Sequence, residues 1–178
     1  MKRLIIPMAA LDYLKTRRRV WAKILIALVP AIIAGVCLGL LEFRQGVVFA
    51  DNFKDFVNVQ ISAVAILISF SIAIITILVS ADNPNIKKLK ERHSEDCKPL
   101  GGKKLNLFQV LLSNITYSVF IEVIYLVVLI VYIFLQLFVC DDWYRILMPV
   151  SVFFIIHILH ILLESVGQMY LTFWKHEE

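Results

Sequence analysis

The sequence predicts an all-α, polytopic membrane protein, with four transmembrane helices and short amphipathic cytosolic helices. Three observations carry this. Of the 178 residues, 60% are apolar and the mean hydropathy is +0.82, more than a water-soluble domain of this length carries. Four nearly uncharged stretches, residues 24–41, 59–80, 119–139 and 146–163, approach or exceed the ~20 helical residues that cross a hydrocarbon core of about 30 Å. None alternates as a barrel strand would, and inside lipid a lone segment satisfies its backbone hydrogen bonds only as a helix. The expectation is a single membrane domain over residues 1–178, with a cytosolic cap from 1–23, 81–118 and 164–178.

Before the first span, "LDYLKTRRRVWAK" places Leu11 and Leu14 beside Arg17, Arg18 and Arg19, with Trp21 where the bilayer interface begins. It reads as a surface helix whose cations hold anionic lipid, at ~1 kcal/mol each near a charged leaflet. No small-x-small cleavage site precedes Glu42, so an uncleaved anchor with Met1 retained is expected. The first span repeats Ala27, Ala31, Gly35 and Gly39 every four residues. Such a strip lets membrane helices approach closely. Pro30 is expected to kink it.

The second span, "ISAVAILISFSIAIITILVS", has no charge, yet Ser62, Ala65, Ser69, Ala73, Thr76 and Ser80 continue a line begun by Asn58. At 100° per residue they share an arc of ~80° that holds no large aliphatic residue of that span. Small residues suit close packing, and hydroxyl rings around an axis can line a pore. Both readings stay open here.

The soluble segment "ADNPNIKKLKERHSEDCKPLGGKKLN" predicts a short helix from Pro84, with Ile86, Leu89 and His93 on one face, ending before Pro99. Gly101 and Gly102 supply a turn. The "GGKK" that follows lacks the rest of a Walker pattern. The segment reads as a solvated or lipid-facing basic loop, and Lys87, Lys88, Lys90, Arg92, Lys103 and Lys104 are the candidate contacts for an anionic ligand.

Helical pattern outruns the bilayer at the last two spans, from Leu107 to Phe138 and Ile146 to Trp174, ~48 Å and ~43 Å at 1.5 Å per residue. The third span carries a stripe of Asn114, Ser118, Glu122, Tyr125, Tyr132 and Gln136, and the fourth one of His157, His160, Glu164 and Gln168. Running antiparallel, the two are expected to set Glu122 level with Glu164 and His160 near Tyr125. Ionisable groups deep in a span cost ~2.5–3.5 kcal/mol on insertion scales, so they seek partners or water and point to function. An intrabundle network and an ion- or proton-sensing vestibule both fit Glu122, Tyr125, His157, His160 and Glu164.

Fifteen of the eighteen Lys and Arg residues fall before the first span, between the second and third, or in the tail. By the positive-inside rule both termini are expected in the cytoplasm. Cys37, Cys97 and Cys140 fall too far apart along this topology to pair, and no CxxC, HExxH or GxSxG occurs. No metal, cofactor or enzymatic role is expected.

Three classes of function remain. A homo-oligomeric channel, taken as a tetramer, would line its axis with the second span and be controlled by the cap. A small proton-coupled transporter would use Glu122. A non-conducting subunit would dock a cytosolic partner through basic residues. In its four-span plan, cap and "ILISFSIAIITILVSADNPNIKKLKE" junction, the chain resembles the small membrane effectors encoded beside nucleotide-synthesising enzymes in bacterial anti-phage defence operons, such as the Hailong channel. That resemblance implies an ion channel in the bacterial inner membrane, gated by a nucleotide or oligonucleotide from the partner enzyme, which depolarises the infected cell.

Overall fold

A computed structural model describes residues 5–17, 19–40, 49–80, 84–94, 97–99, 104–135, 138 and 143–174. It contains α1 (Ile5–Thr16), α2 (Val20–Leu40), α3 (Phe49–Ser80), α4 (Pro84–Glu91), α5 (Leu107–Leu135) and α6 (Tyr144–Trp174). Among the described residues the only β pairing is two isolated bridges. Four helices, α2, α3, α5 and α6, are long and apolar enough to cross a membrane. Only 11–28% of each apolar window is buried within the chain, so most of that surface faces outward, as a lipid solvent requires. The protein is an all-α polytopic membrane protein.

Local chemistry sets the helix ends. α4 begins with Pro84, whose missing N–H costs nothing in a first turn. At α5, the Gln109 N–H donates to Asn106 Oδ1 at 2.8 Å while the Asn106 N–H donates to Gln109 Oε1 at 3.1 Å. This reciprocal capping box satisfies two backbone donors at once. α3 starts ten residues before the apolar stretch does, at Phe49 rather than residue 59.

The chain packs as two compact units. The first comprises Met1–Val20, Ser69–Phe120 and Leu159–Glu178. Leu78, Ile86, Leu111 and Ile115 form its core. α4 buries Ile86 and Leu89 and exposes Lys87, Lys88 and Lys90, the split that a 3.6-residue period imposes on an amphipathic helix. Lys90 Nζ lies 5.0 Å from the centroid of the Phe108 ring. α1 docks through Tyr13, which stacks on Tyr117 with centroids 4.1 Å apart and planes 14° apart.

The segment after α4 departs from the expectation of a solvated loop. The Ser94 N–H donates to Leu105 O at 2.9 Å, the Leu107 N–H to Arg92 O at 2.9 Å, and the Lys98 N–H to Thr16 O at 2.7 Å. These bonds tie the loop to α1 and to the start of α5. Ser94 and Cys97 are buried, whereas His93, expected to share a face with Ile86 and Leu89, is exposed. The physical reason is that α4 ends at Glu91, so the helical phase that would carry His93 inward stops two residues short.

The second unit comprises Trp21–Ile68 and Ile121–Ile158. Phe53 is fully buried, stacked on Tyr144 at 4.7 Å and tilted against Tyr132 at 6.0 Å. Val57 and Val64 continue that face of α3. α2 buries Ala27 and Ala31. At Gly35 an added Cβ would sit 3.4 Å from Pro149 Cγ, whereas at Gly39 it would meet nothing within 4 Å. Only half of the expected Gly35–Gly39 packing pair therefore packs inside the chain.

Candidate functional site

Three groups of polar residues merit functional attention, and α3 carries the first. Phe53, Val57, Val64, Ser71 and Leu78 are its buried positions. Ser62, Ala65, Ser69, Ala73, Thr76 and Ser80 are all exposed. On a helical wheel the two sets are centred about 150° apart. The small-residue face is therefore turned away from the interior of the protein, while apolar Val59, Ile66, Phe70 and Ile77 occupy a neighbouring exposed arc. Three hydroxyls on the small face bond to their own helix: Ser62 Oγ donates to Asn58 O at 3.1 Å, Thr76 Oγ1 to Ile72 O at 2.9 Å and Ser80 Oγ to Thr76 O at 2.6 Å. Each donor is thereby used locally, leaving oxygen lone pairs on the outer surface. Towards the start of α3 the same arc passes exposed Asn58, Asp55 and Asp51, with exposed Lys54 at its margin.

The second group lies in the unit formed by Trp21–Ile68 and Ile121–Ile158. Glu122, Tyr125 and Ser151 are fully buried, and His157 nearly so. Tyr125 stacks on Phe154 at 5.1 Å, and His157 on Phe153 at 5.7 Å. With Tyr125 opposite Phe154 in an antiparallel pair, Glu122 comes level with His157. Ser151 sits close enough to influence both the Tyr125 and Tyr132 phenols. Nevertheless Glu122 Oε2, Tyr125 OH, Ser151 Oγ and His157 Nδ1 reach no hydrogen-bond geometry. Glu122 and His157 each interact with other groups as well, and ionisable side chains buried this deeply in a span are candidates for a functional role.

This register corrects the expected pairing of Glu122 with Glu164 and of Tyr125 with His160. Hydropathy carries the third span to residue 139, but α5 ends at Leu135 and α6 begins at Tyr144. Both helix limits thus fall earlier in the sequence than expected, and the residue level with Glu122 moves by seven positions, about two helical turns, from Glu164 to His157. His160 is half-buried.

Glu164 belongs to the third group, in the unit that contains α1. Arg17 Nη2 donates to Asn114 Oδ1, Asn114 Nδ2 to Gln168 Oε1 at 3.2 Å, and Gln168 Nε2 to Glu164 Oε1 at 3.2 Å. A guanidinium and a carboxylate are thus joined through two amides across α5 and α6. Arg17 Nη1 also donates to Cys97 Sγ at 3.4 Å, and its guanidinium carbon lies 5.5 Å from the centroid of the Tyr13 ring. Burial pushes the Tyr13 phenol well above its usual range, and the charge of Glu164 adds to that shift while Arg17 opposes it.

Arg17, expected among surface cations holding lipid, is buried. Tyr13, Thr16 and Arg17 recur at a spacing of three and four and are the buried residues at the end of α1, a face legible as periodicity but masked by the triple arginine. Arg18 and Lys103 lie outside the described residues, as do Gln136 and Cys140. Arg19, Lys87, Lys88, Lys90, Arg92 and Lys104 are exposed. Among the described residues no cluster of His, Cys, Asp and Glu has metal-binding geometry. No family model, curated protein or solved structure matches this chain.

Proposed function

We propose that this chain is one protomer of a homo-oligomeric channel in a bacterial inner membrane, with α3 lining the pore and both termini in the cytoplasm. The observation that carries the reading is the outward turn of the α3 small-residue face. A face that served only to pack helices within one chain would be covered by that chain; this one is exposed over its full length. Copies arranged around an axis would ring it with hydroxyl oxygens whose donors are already satisfied, a surface that wets without binding ions tightly. Asp51 and Asp55 on the same arc favour cations at one mouth. Four copies are the expected assembly. The exposed Lys87, Lys88, Lys90 and Arg92 offer a surface where a nucleotide-type signal made by a partner enzyme would gate the pore, as in a defence effector.

Cysteine scanning tests the lining. In a Cys37→Ser background reconstituted into liposomes, Ser69→Cys is expected to lose cation flux on reaction with a charged thiol reagent, whereas Phe70→Cys is not. A monomeric protein in native-like lipid, or a Ser69→Cys channel indifferent to the reagent, defeats the reading. The buried Glu122–Tyr125–Ser151–His157 group favours a second function, proton-coupled transport. Glu122→Gln would then abolish pH-driven exchange while leaving assembly unchanged.

A further inference from the structure

Arg17 lines a cavity of about 250 Å³ together with Asp12, Thr16, Gln109, Ser113 and Thr116. It is 6% exposed. A guanidinium carries five N–H donors, and two of them serve Cys97 Sγ and Asn114 Oδ1. Among the described residues no carboxylate pairs directly with it; Glu164 is reached only through Asn114 and Gln168. Buried cations in proteins are almost always paired, because desolvation without a counter-charge is costly. Amide and thiol acceptors reduce that cost without cancelling the charge. The cavity supplies what such a group needs: space beside the guanidinium, with the hydroxyl-bearing Ser113 and Thr116 and the amide-bearing Gln109 in its wall.

We propose that this cavity binds a singly charged phosphodiester, with the remaining Arg17 donors taking the phosphate oxygens and Ser113 and Thr116 donating to them. An arginine fork matches phosphate geometry well and forms short, charge-assisted bonds. Asp12, half-buried in the same wall, repels anions and selects a single negative charge over a double one. Size restricts the ligand further. The volume falls just below the ~300–1,000 Å³ of drug-sized pockets. It seats a phosphate with a short polar substituent, and not a polymer. Either a phospholipid headgroup or a small free diester supplies that chemistry. The site does not depend on whether the chain conducts ions.

The test uses the full chain in an uncharged maltoside micelle, with the thermal unfolding midpoint followed against two probes. One is soluble glycerophosphoglycerol, and the other is phosphatidylglycerol doped into the micelle. A saturable rise with both identifies a free diester site, and a rise with the lipid alone identifies a headgroup site. Arg17→Gln and Ser113→Phe, the second of which fills the cavity while sparing the hydrogen bonds of Arg17, are each expected to weaken binding about tenfold or more. Arg19→Gln, at an exposed position, is expected to leave it within about twofold. The proposal is overturned if neither probe raises the midpoint, if Ser113→Phe binds as the parent does, or if Arg19→Gln loses as much as Arg17→Gln.

Discussion

The two polar groups, one in each unit, each contain a glutamate and behave differently. In the unit that holds α1, Arg17, Asn114, Gln168 and Glu164 form an unbroken run of donors and acceptors. In the other, the side chains are more deeply buried, and Glu122 Oε2, Tyr125 OH, Ser151 Oγ and His157 Nδ1 lie outside hydrogen-bond geometry, although Glu122 and His157 interact with other groups. Satisfied polar groups hold helices together and fix register. Buried polar atoms outside hydrogen-bond geometry stabilise a fold less than an apolar packing of the same shape would. The first group is therefore a continuous hydrogen-bonded run and the second is not.

Substitutions sharpen that contrast, and the largest effect is expected at Asn114. Asn114→Leu conserves volume but breaks the run in the middle and strands the Arg17 guanidinium, at a cost of about 3 kcal/mol. Thermal unfolding in detergent would measure it, and a loss below ~1 kcal/mol would make the run decorative. Packing within the other unit is probed by the two glycines. Gly35→Ile forces a branched side chain against Pro149 and is expected to cost about 2 kcal/mol. Gly39→Ile, where nothing lies within 4 Å, should be neutral in a single chain. A penalty at Gly39 that appears only in the assembled protein would locate a contact between copies.

Tyr13 gives a pH dependence to the first unit. Its folded-state pKa is raised above the ordinary value of 10.0, first by burial and then by Glu164. The neutral phenol therefore contributes stability that is fully present below pH 10 and is lost as the pH climbs through the higher folded value. Tyr13→Phe should flatten this alkaline limb of the unfolding curve; an unchanged limb would assign it to other groups. The smallest effect is expected at Ser151, whose buried Oγ makes no hydrogen bond. Ser151→Ala should alter stability by less than ~0.5 kcal/mol or raise it. Any functional loss in that variant then reports chemistry and not folding. A loss of 2 kcal/mol there would erase the distinction between the two polar groups.

How much of this was legible follows from the range of each interaction. Spans of about twenty apolar residues are read from composition because a single helix satisfies its own backbone. The phase of a stripe is equally local, so the grouping of Ser62 to Ser80 on one face, or of Asn114 with Ser118 and Glu122, needs no knowledge of neighbours. The capping box of Asn106 and Gln109 was legible too, as an N-x-x-Q before an apolar run. Its amide residues simply do not stand out beside "GGKK".

The direction a stripe faces was not legible. Small residues on α3 look outward and small residues on α2 look inward at Ala27, Ala31 and Gly35, although in sequence both are runs of glycine, alanine or serine. Nor could register be read. Earlier limits of α5 and α6 than hydropathy suggests accompany a change of about two turns, from Glu164 to His157, in the residue level with Glu122. Arg17 is buried against Cys97, 80 positions away, and Asn114, 97 positions away, contacts that a run of three arginines does not reveal. The sequence by itself determined helices, their lengths and the residues that share a face, because those depend on a backbone period and on the solvent. The tertiary structure decided which faces meet, which glycine packs and which arginine is buried, because those depend on the fit between segments distant in the chain.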